Sequence, residues 1–417
     1  MNEAVVSQEL AMPAHLPLRD RFATRLVLNQ LSSWRAGALD VALPDGRRLQ
    51  FGDPASTRRI QINVRSWSFF WRNLTAGDIG NAESYMEGEW EVSDLVELCR
   101  LFLLDQSMLD HRSPWMFVNR LRNRLIRWSQ TNTLLGARRN IRHHYDLSND
   151  FYRLFLDDSM TYSCAYFPTA TTSLADAQQA KIEKICRKLA PEPGQSVLEI
   201  GSGWGALAIH LARTYGCKVT SITLSEEQLG LARRRVAEAG LSSQVDIRLC
   251  DYRSVEGTFD RVVSVEMLEA VGYRYLNTFF ERCASALTRN GRMVLQSITF
   301  PDQGFDAYRK DFDFIRKYIF PGGLCPSFYE INRTLKERTD LRVLEVEDIG
   351  PHYATTLKIW RERFLERVAE VHQLGFDERF VRMWEYYLAC CEAAFSVRYL
   401  GTLQIVLSRT LTGCRTA

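Results

Sequence analysis

Residues 197–205, VLEIGSGWG, are the first group along the chain whose types and spacing could do chemistry. Gly201, Gly203 and Gly205 follow a short apolar run, Val197, Leu198 and Ile200. Glycines there let backbone N–H groups approach a ligand, with a helix N-terminus behind them. The spacing is G-x-G-x-G, not the dinucleotide pattern G-x-G-x-x-G, and Glu199 stands two residues before the first glycine. That carboxylate disfavours a pyrophosphate and suits a cationic ligand with an amino-acid end. Asp251 and Tyr252 follow a second apolar run, where a carboxylate can accept a hydrogen bond from an adenine amino group. A third run, Arg261 to Val265, ends in Glu266, Met267, Leu268 and Glu269. Upstream, residues 145–167 (YDLSNDFYRLFLDDSMTYSCAYF) are dense in polar and aromatic groups, among them Tyr162, Ser163 and Cys164.

Positioning these groups requires strands that end at a common edge. The run before the glycines reads as a buried parallel strand, the periodic stretch Leu207, Ile209, Leu211 and Ala212 as a helix, and Val219 to Thr223 as the next strand. Together they form a right-handed βαβ unit with its ligand at the carboxyl ends of the strands. This pattern resembles the first motif of S-adenosylmethionine (SAM) methyltransferases. Val245–Leu249, Arg261–Val265 and Arg292–Ile298 supply further strands, and Leu341–Val346 and Leu403–Leu407 the last two. An insertion spans about 300–335. The expected layout is a tail over 1–20, a small α/β domain over 21–110, a basic linker or helix over 111–144 and a catalytic domain over 145–417. In the small domain, strands are expected at 41–43, 49–51 and 60–64, with Pro44-Asp45-Gly46 as a hairpin turn. Helices are expected near 65–75 and 93–105, with Gly77, Gly80, Gly88 and Trp90 marking a loop between them.

Composition narrows the class. The net charge of +3 is too small to indicate a nucleic-acid binder. No Asn-Pro-Pro-aromatic sequence follows Val265, where enzymes that methylate base amino groups commonly carry one. Nucleic acid is therefore not expected as a partner. The ten cysteines include no C-x-x-C pair, so neither a zinc site nor a disulfide framework is implied. No apolar run approaches a spanning helix, and residues 1–20 lack the apolar core of a signal peptide, so a cytoplasmic protein is expected. Residues 112–144 stand apart, with eight arginines, no acid and interleaved Trp115, Phe117 and Trp128. Such a segment is either a solvated linker or a surface for anionic headgroups, which would make the protein peripherally membrane-associated.

Taken together, HHYDLSNDFY (143–152), MTYSCAYF (160–167), VLEIGSGWG, TLSEEQ (223–228), EMLEAVG (266–272), YIFPGGLCPS (318–327) and HYATTLKIW (352–360) resemble the cyclopropane-fatty-acyl-phospholipid synthase family, including the mycolic-acid cyclopropane synthases. The resemblance runs from about residue 60 to 410. It implies an α/β fold, a Rossmann-like SAM-dependent methyltransferase domain with a mostly parallel seven-stranded sheet, preceded by a small α/β domain. It also implies that Tyr162, Ser163 and Glu199 lie at the methionine end of SAM. Gly201, Gly203 and Gly205 would form the backbone cradle, Thr223, Leu224 and Gln228 would meet ribose and adenine, and Asp251 and Tyr252 would flank adenine. A bicarbonate ion, the family's base, would be held by Cys164, Glu269, Gln296, Tyr353 and the backbone of Ile298. Cys391 matches a cysteine marked as catalytic in the family, although a buried thiol on an apolar helix reads equally well. Gln296 stands where many members carry histidine, which resembles a plant-like branch.

The implied reaction transfers the SAM methyl group to the cis double bond of an unsaturated phospholipid acyl chain and closes a cyclopropane ring. Aromatic groups such as Tyr162, Tyr166, Phe167 and Tyr353 would line the path of the intermediate cation. A methylene or methyl-branched product by the same C-methylation, and an O- or N-methyltransferase acting on a small metabolite, remain as alternatives. A homodimer is among the assemblies left open.

Overall fold

The computed structural model describes residues 13, 16–105, 132–133, 136–137 and 147–409. The arginine-rich segment therefore lies almost wholly outside the described residues, as does the start of HHYDLSNDFY. Contacts divide the chain into two units, Met1–Trp128 with Phe364–Val397, and Ser129–Arg363 with Arg398–Ala417.

The first unit carries a four-stranded sheet in the order β2-β1-β3-β4: β1 Ala38–Ala42, β2 Arg48–Gly52, β3 Arg59–Val64 and β4 Trp90–Val92. Strict alternation makes β3 a half-buried strand, with Ile60, Ile62 and Val64 inward. The helix expected to stop near 75 runs over Ser68–Met86, so Gly77 and Gly80, read as part of a loop, belong to it, whereas Gly88 lies in the turn that follows and Trp90 opens β4. Gly77 takes φ 56° at a kink, and a Cβ on Gly80 would lie 2.0 Å from the Arg72 carbonyl oxygen. Gly77 thus permits a kink and Gly80 a close backbone approach inside the helix. Residues 364–397, expected in the catalytic domain, group with this unit. The reason is the helix Glu378–Ser396, whose buried Val381, Trp384, Leu388 and Ala389 belong to a helix packed on Leu95–Leu104 and Ser68–Met86.

The second unit is built on a seven-stranded sheet in the order β10-β11-β9-β8-β5-β6-β7. Its strands are β5 Ser196–Ile200, β6 Lys218–Thr223, β7 Val245–Leu249, β8 Phe259–Val265, β9 Leu287–Thr299, β10 Leu341–Asp348 and β11 Gly401–Arg409. Strands β5 to β9 are parallel, while β11 runs antiparallel to β9 and β10 antiparallel to β11. Successive strand residues serve opposite faces. Val197 packs with Leu207, Leu211 and Ala232, whereas Leu198 packs with Phe279, Phe280 and Ile331. Both faces are thus covered, which is why β5 is apolar on both, at Val197 on one and at Leu198 and Ile200 on the other, with Glu199 as its one acid. Strand order reverses at β5, whose neighbours are β6 and β8, and that reversal opens a crevice at the carboxyl ends. Among the described residues no helix is long and apolar enough to cross a membrane.

Candidate active site

A cavity opens where β5, β6 and β8 end, lined by Tyr162, Ser163, Lys181, Glu199, Gly201, Gly203, Trp204, Thr223, Leu224, Gln228, Tyr252, Glu266 and Met267, among others. The β5 strand turns sharply through Gly201, Gly203 and Gly205, with φ of 99°, 48° and 88°, a region glycine enters without a Cβ penalty. Gly205 caps the helix Ala206–Tyr215 and lies outside the lining. A Cβ on Gly201 would meet the Met267 side chain at 3.2 Å, so that glycine makes room for a neighbouring side chain as well as for a ligand. A Cβ on Gly203 would meet nothing within 4 Å.

Glu199 lines the cavity and is buried, with Ser221 Oγ donating to its Oε2. Burial pushes its carboxyl up to about 8, against the opposing pull of Ser221 and of the Lys181 charge. Among the described residues it makes no ion pair within 4 Å, so a ligand ammonium would supply the missing counter-charge and lower that value again. The residues present thus fit the amino-acid end of SAM. Across the cavity, Gln178 Nε2 donates to the backbone oxygens of Ser163 (2.9 Å) and Thr161 (3.2 Å), fixing the non-helical segment that presents Tyr162 and Ser163. Buried Lys181 donates to Ser163 Oγ at 2.7 Å, and burial draws its ammonium down to about 8. Thr223 Oγ1 donates to Gln228 Oε1 (2.8 Å) and accepts from Ser225 N (3.1 Å), locking the turn after β6. Asp251 lies outside the lining. Its carboxylate is bound to Arg253 through Nη2 at 2.7 Å and Nε at 2.8 Å, while Tyr252 faces the cavity.

The residues expected around bicarbonate divide between two protein carboxylates. Glu266 Oε1 accepts from Cys164 N (2.9 Å) and Gln296 Nε2 (2.8 Å), and its Oε2 accepts from the Tyr353 hydroxyl (2.7 Å). Glu269 Oε1 accepts instead from Ser297 Oγ (3.0 Å) and Ile298 N. Burial raises both carboxyls, that of Glu269 to about 8, with the nearby Glu266 charge adding to the effect. Glu266 was not singled out in the sequence. The signal that could have found it is an acid directly after β8, next to Val265, the residue paired with Gln296 at the end of the β8–β9 register. Cys164 takes part through its backbone N–H. Its thiol points to the carbonyl oxygens of Ala165 (3.3 Å) and Ile349 (3.7 Å), and burial holds it neutral. Cys391 falls in the first unit, whereas every residue above belongs to the second.

The aromatic wall also differs from expectation. Tyr166 and Phe167 pack on His352, with ring centroids 4.6 and 6.3 Å away, and are not in the lining. Tyr162 instead joins Trp360 (5.1 Å) and Tyr152 (5.3 Å), Tyr152 meets Trp204 (5.1 Å), and Tyr353 meets Trp360 (6.1 Å). Tyr152, Trp204 and Trp360 were legible only as members of motifs, because ring-to-ring contact is tertiary.

Comparison with known proteins agrees with this arrangement. Residues 133–405 match the family model described as mycolic acid cyclopropane synthetase. The chain is 44% identical over 351 residues to tuberculostearic acid methyltransferase UfaA1 of Mycobacterium tuberculosis, covering 80% of this chain and 79% of the relative. It is 38% identical over 350 residues to the cyclopropane-fatty-acyl-phospholipid synthase of Escherichia coli K12, covering 84% and 87%. The crystal structure of mycolic acid cyclopropane synthase CmaA1 complexed with SAH and CTAB superposes with a TM-score of 0.62 at 31% identity, covering 65% of this chain and 98% of that one. The chain belongs to the mycolic acid cyclopropane synthetase family and is a SAM-dependent methyltransferase.

Proposed function

We propose that this enzyme transfers the methyl group of SAM to a carbon of the cis double bond in an unsaturated phospholipid acyl chain. The observation that carries the reading is a carboxylate, Glu266, fixed on the wall of the SAM cavity within a unit whose rings cluster around Tyr162. An isolated alkene is a weak nucleophile, and SAM when bound supplies a sulfonium methyl as electrophile. Methylation leaves a positive charge on the acyl chain, which needs electron-rich faces, exclusion of water and then a base. Tyr162 and Trp204 on the cavity wall meet the first two needs. Transfer to an amine or a hydroxyl group creates no carbocation and has no use for the cluster of electron-rich rings.

Loss of a proton with ring closure gives a cyclopropane, which is the first reading. A methylene or methyl-branched chain is the second, favoured by the 44% identical relative, whose name speaks of methyl transfer without a ring. The phospholipid carrier is supported by the name of the E. coli relative. Tyr162, Ser163, Glu199 and the glycine loop would hold the methionine end of SAM, and Thr223, Leu224, Gln228 and Tyr252 its nucleoside, while Asp251, tied to Arg253, stands outside the cavity. A cytoplasmic enzyme working at an anionic membrane surface accords with this substrate. Expression in a host lacking such lipids, followed by fatty-acid methyl ester analysis, tests the reading. A new acyl species one carbon heavier is expected, and resistance to mild hydrogenation separates a ring from a methylene. Unchanged lipids alongside methylation of a small polar metabolite would sink it.

A further inference from the structure

We propose that Glu266 is the general base of this enzyme, the protein's own carboxylate taking the place that the family resemblance gives to a bicarbonate ion. The inference rests on the C-methylation reading, which is what creates the need for a base. Three of the groups expected to hold bicarbonate, the Cys164 N–H, the Gln296 amide and the Tyr353 hydroxyl, are spent on the two oxygens of Glu266. The Cys164 N–H and the Tyr353 O–H carry one hydrogen each, so neither can serve a second anion while it binds Glu266. A bicarbonate placed there would meet a like charge where it needs donors.

The two carboxylates are set apart by their surroundings. Glu266 has three donors and the attraction of Lys181, and it lines the cavity. Glu269 has two donors, is not in the lining, and its Oε2 is buried without a hydrogen-bond partner. One shared negative charge therefore settles on Glu266, leaving Glu269 neutral. Within Glu266, Oε1 accepts twice and Oε2 once, so Oε2 keeps the more available lone pair.

The step balances without another reactant. A C–H bond of the newly transferred methyl breaks and its proton passes to Oε2. The released electron pair either closes the third side of the ring or forms a methylene double bond, the latter after the hydride on the methyl-bearing carbon has moved to the cationic carbon. The proton then returns to solvent as product leaves. A carboxylate beside a cation risks forming an ester with it, and rigidity is the protection here. The Glu266 N–H donates to the Gln296 carbonyl oxygen at 2.7 Å, and its backbone sits at φ 49°, where a non-glycine residue persists only if its surroundings hold it. The Gln296 amide is itself oriented. Gln404, opposite it on β11, donates Nε2 to Gln296 Oε1 at 3.0 Å, which turns the Gln296 NH₂ towards Glu266.

The test uses full-length enzyme, SAM with a labelled methyl group and dioleoyl phosphatidylglycerol vesicles, in carbonate-free buffer with and without added bicarbonate. Parent turnover should be indifferent to bicarbonate. Glu266→Gln, close in size, should bind SAM normally and turn over about 10²-fold or more slowly. Glu266→Gly should be equally slow yet well folded, since glycine is unstrained at a positive φ. Added formate or bicarbonate should then restore part of its activity by occupying the freed donors. Parent activity that requires bicarbonate, or parental turnover in folded Glu266→Gln, overturns the proposal while leaving C-methylation intact. Failure of both anions to rescue Glu266→Gly also counts against it. A parent that labels no lipid removes the C-methylation reading itself.

Discussion

At Gly201 the backbone has φ 99°, and an added Cβ would press on Met267 from 3.2 Å. Gly201→Val should therefore lose SAM binding, through strain in the loop and displacement of Met267 as much as by blocking the ligand. Isothermal titration on the folded variant checks this, and parental affinity would contradict it. The carboxylates give a sharper contrast. Glu269→Gln keeps an oxygen for Ser297 and Ile298 and stays out of the cavity, so it should lower turnover far less than Glu266→Gln, in parallel steady-state assays. Its effect should show in stability. The Glu269 carboxyl moves from an ordinary 4.5 to about 8 in the fold, so between those values the folded state holds a proton that the unfolded state has lost. That stabilisation is complete below the unfolded value and disappears as pH rises through the folded one. Melting temperature should fall from roughly pH 4.5 to roughly pH 8, and less steeply in Glu269→Gln; equal slopes would contradict the shift. Gly201 was legible in the sequence from its place between strand and helix, and Tyr162, Ser163, Thr223 and Gln228, which also line the cavity, only through the motifs that carry the family resemblance. The choice between Glu266 and Glu269 was not. It turns on one left-handed residue after β8, and a left-handed glutamate has no sequence signature.

Strands and helices show the same division. Val197, Leu198 and Ile200 announced β5 because a doubly covered parallel strand is largely apolar on both faces, and the β-branched run Val219–Thr223 announced β6. The helix Glu378–Ser396 was legible as an element, but not its partners. Its buried face carries no mark of which unit it will cover, and it packs on Leu95–Leu104, nearly 300 positions earlier in the chain. Pairing across strands is equally silent. β11 sets Gln404 against Gln296, and both are fully buried. Gln404→Leu would leave Gln296 Oε1 without its donor, at a cost of about 1–3 kcal/mol in stability. The freed amide could then turn its oxygen towards Glu266. Turnover should drop while SAM affinity stays at the parental value, and Gln404→His, which keeps a donor, should recover part of the loss. A fall in stability with kcat unchanged would make Gln404 a packing residue only.

For the whole molecule the proposed substrate, an acyl chain in a bilayer, raises the question of how the enzyme reaches it. Among the described residues no helix is long and apolar enough to cross a membrane. We propose that the contact comes through the arginine-rich segment, on the charge of the sequence. The full chain carries only +3, yet residues 112–144 hold eight arginines and no acid, so the remainder is net negative. Spread evenly, so small a charge would do little. Concentrated beside Trp115, Phe117 and Trp128, it offers both attraction to anionic headgroups, about 1 kcal/mol per basic residue near the surface, and rings suited to the interface. On this proposal the rest of the chain, being net negative, would be repelled from the same membrane, and the segment would also set the orientation of approach. Binding to vesicles rich in phosphatidylglycerol should be tight at low salt and weaken as ionic strength shortens the Debye length. Replacing Arg120, Arg122, Arg124 and Arg127 together by glutamine should abolish most of that binding and raise the apparent KM for lipid. SAM affinity should not move, because no residue of the cavity changes. Parental vesicle binding by the quadruple variant at low salt would make the segment a linker and leave the route to the membrane to another face.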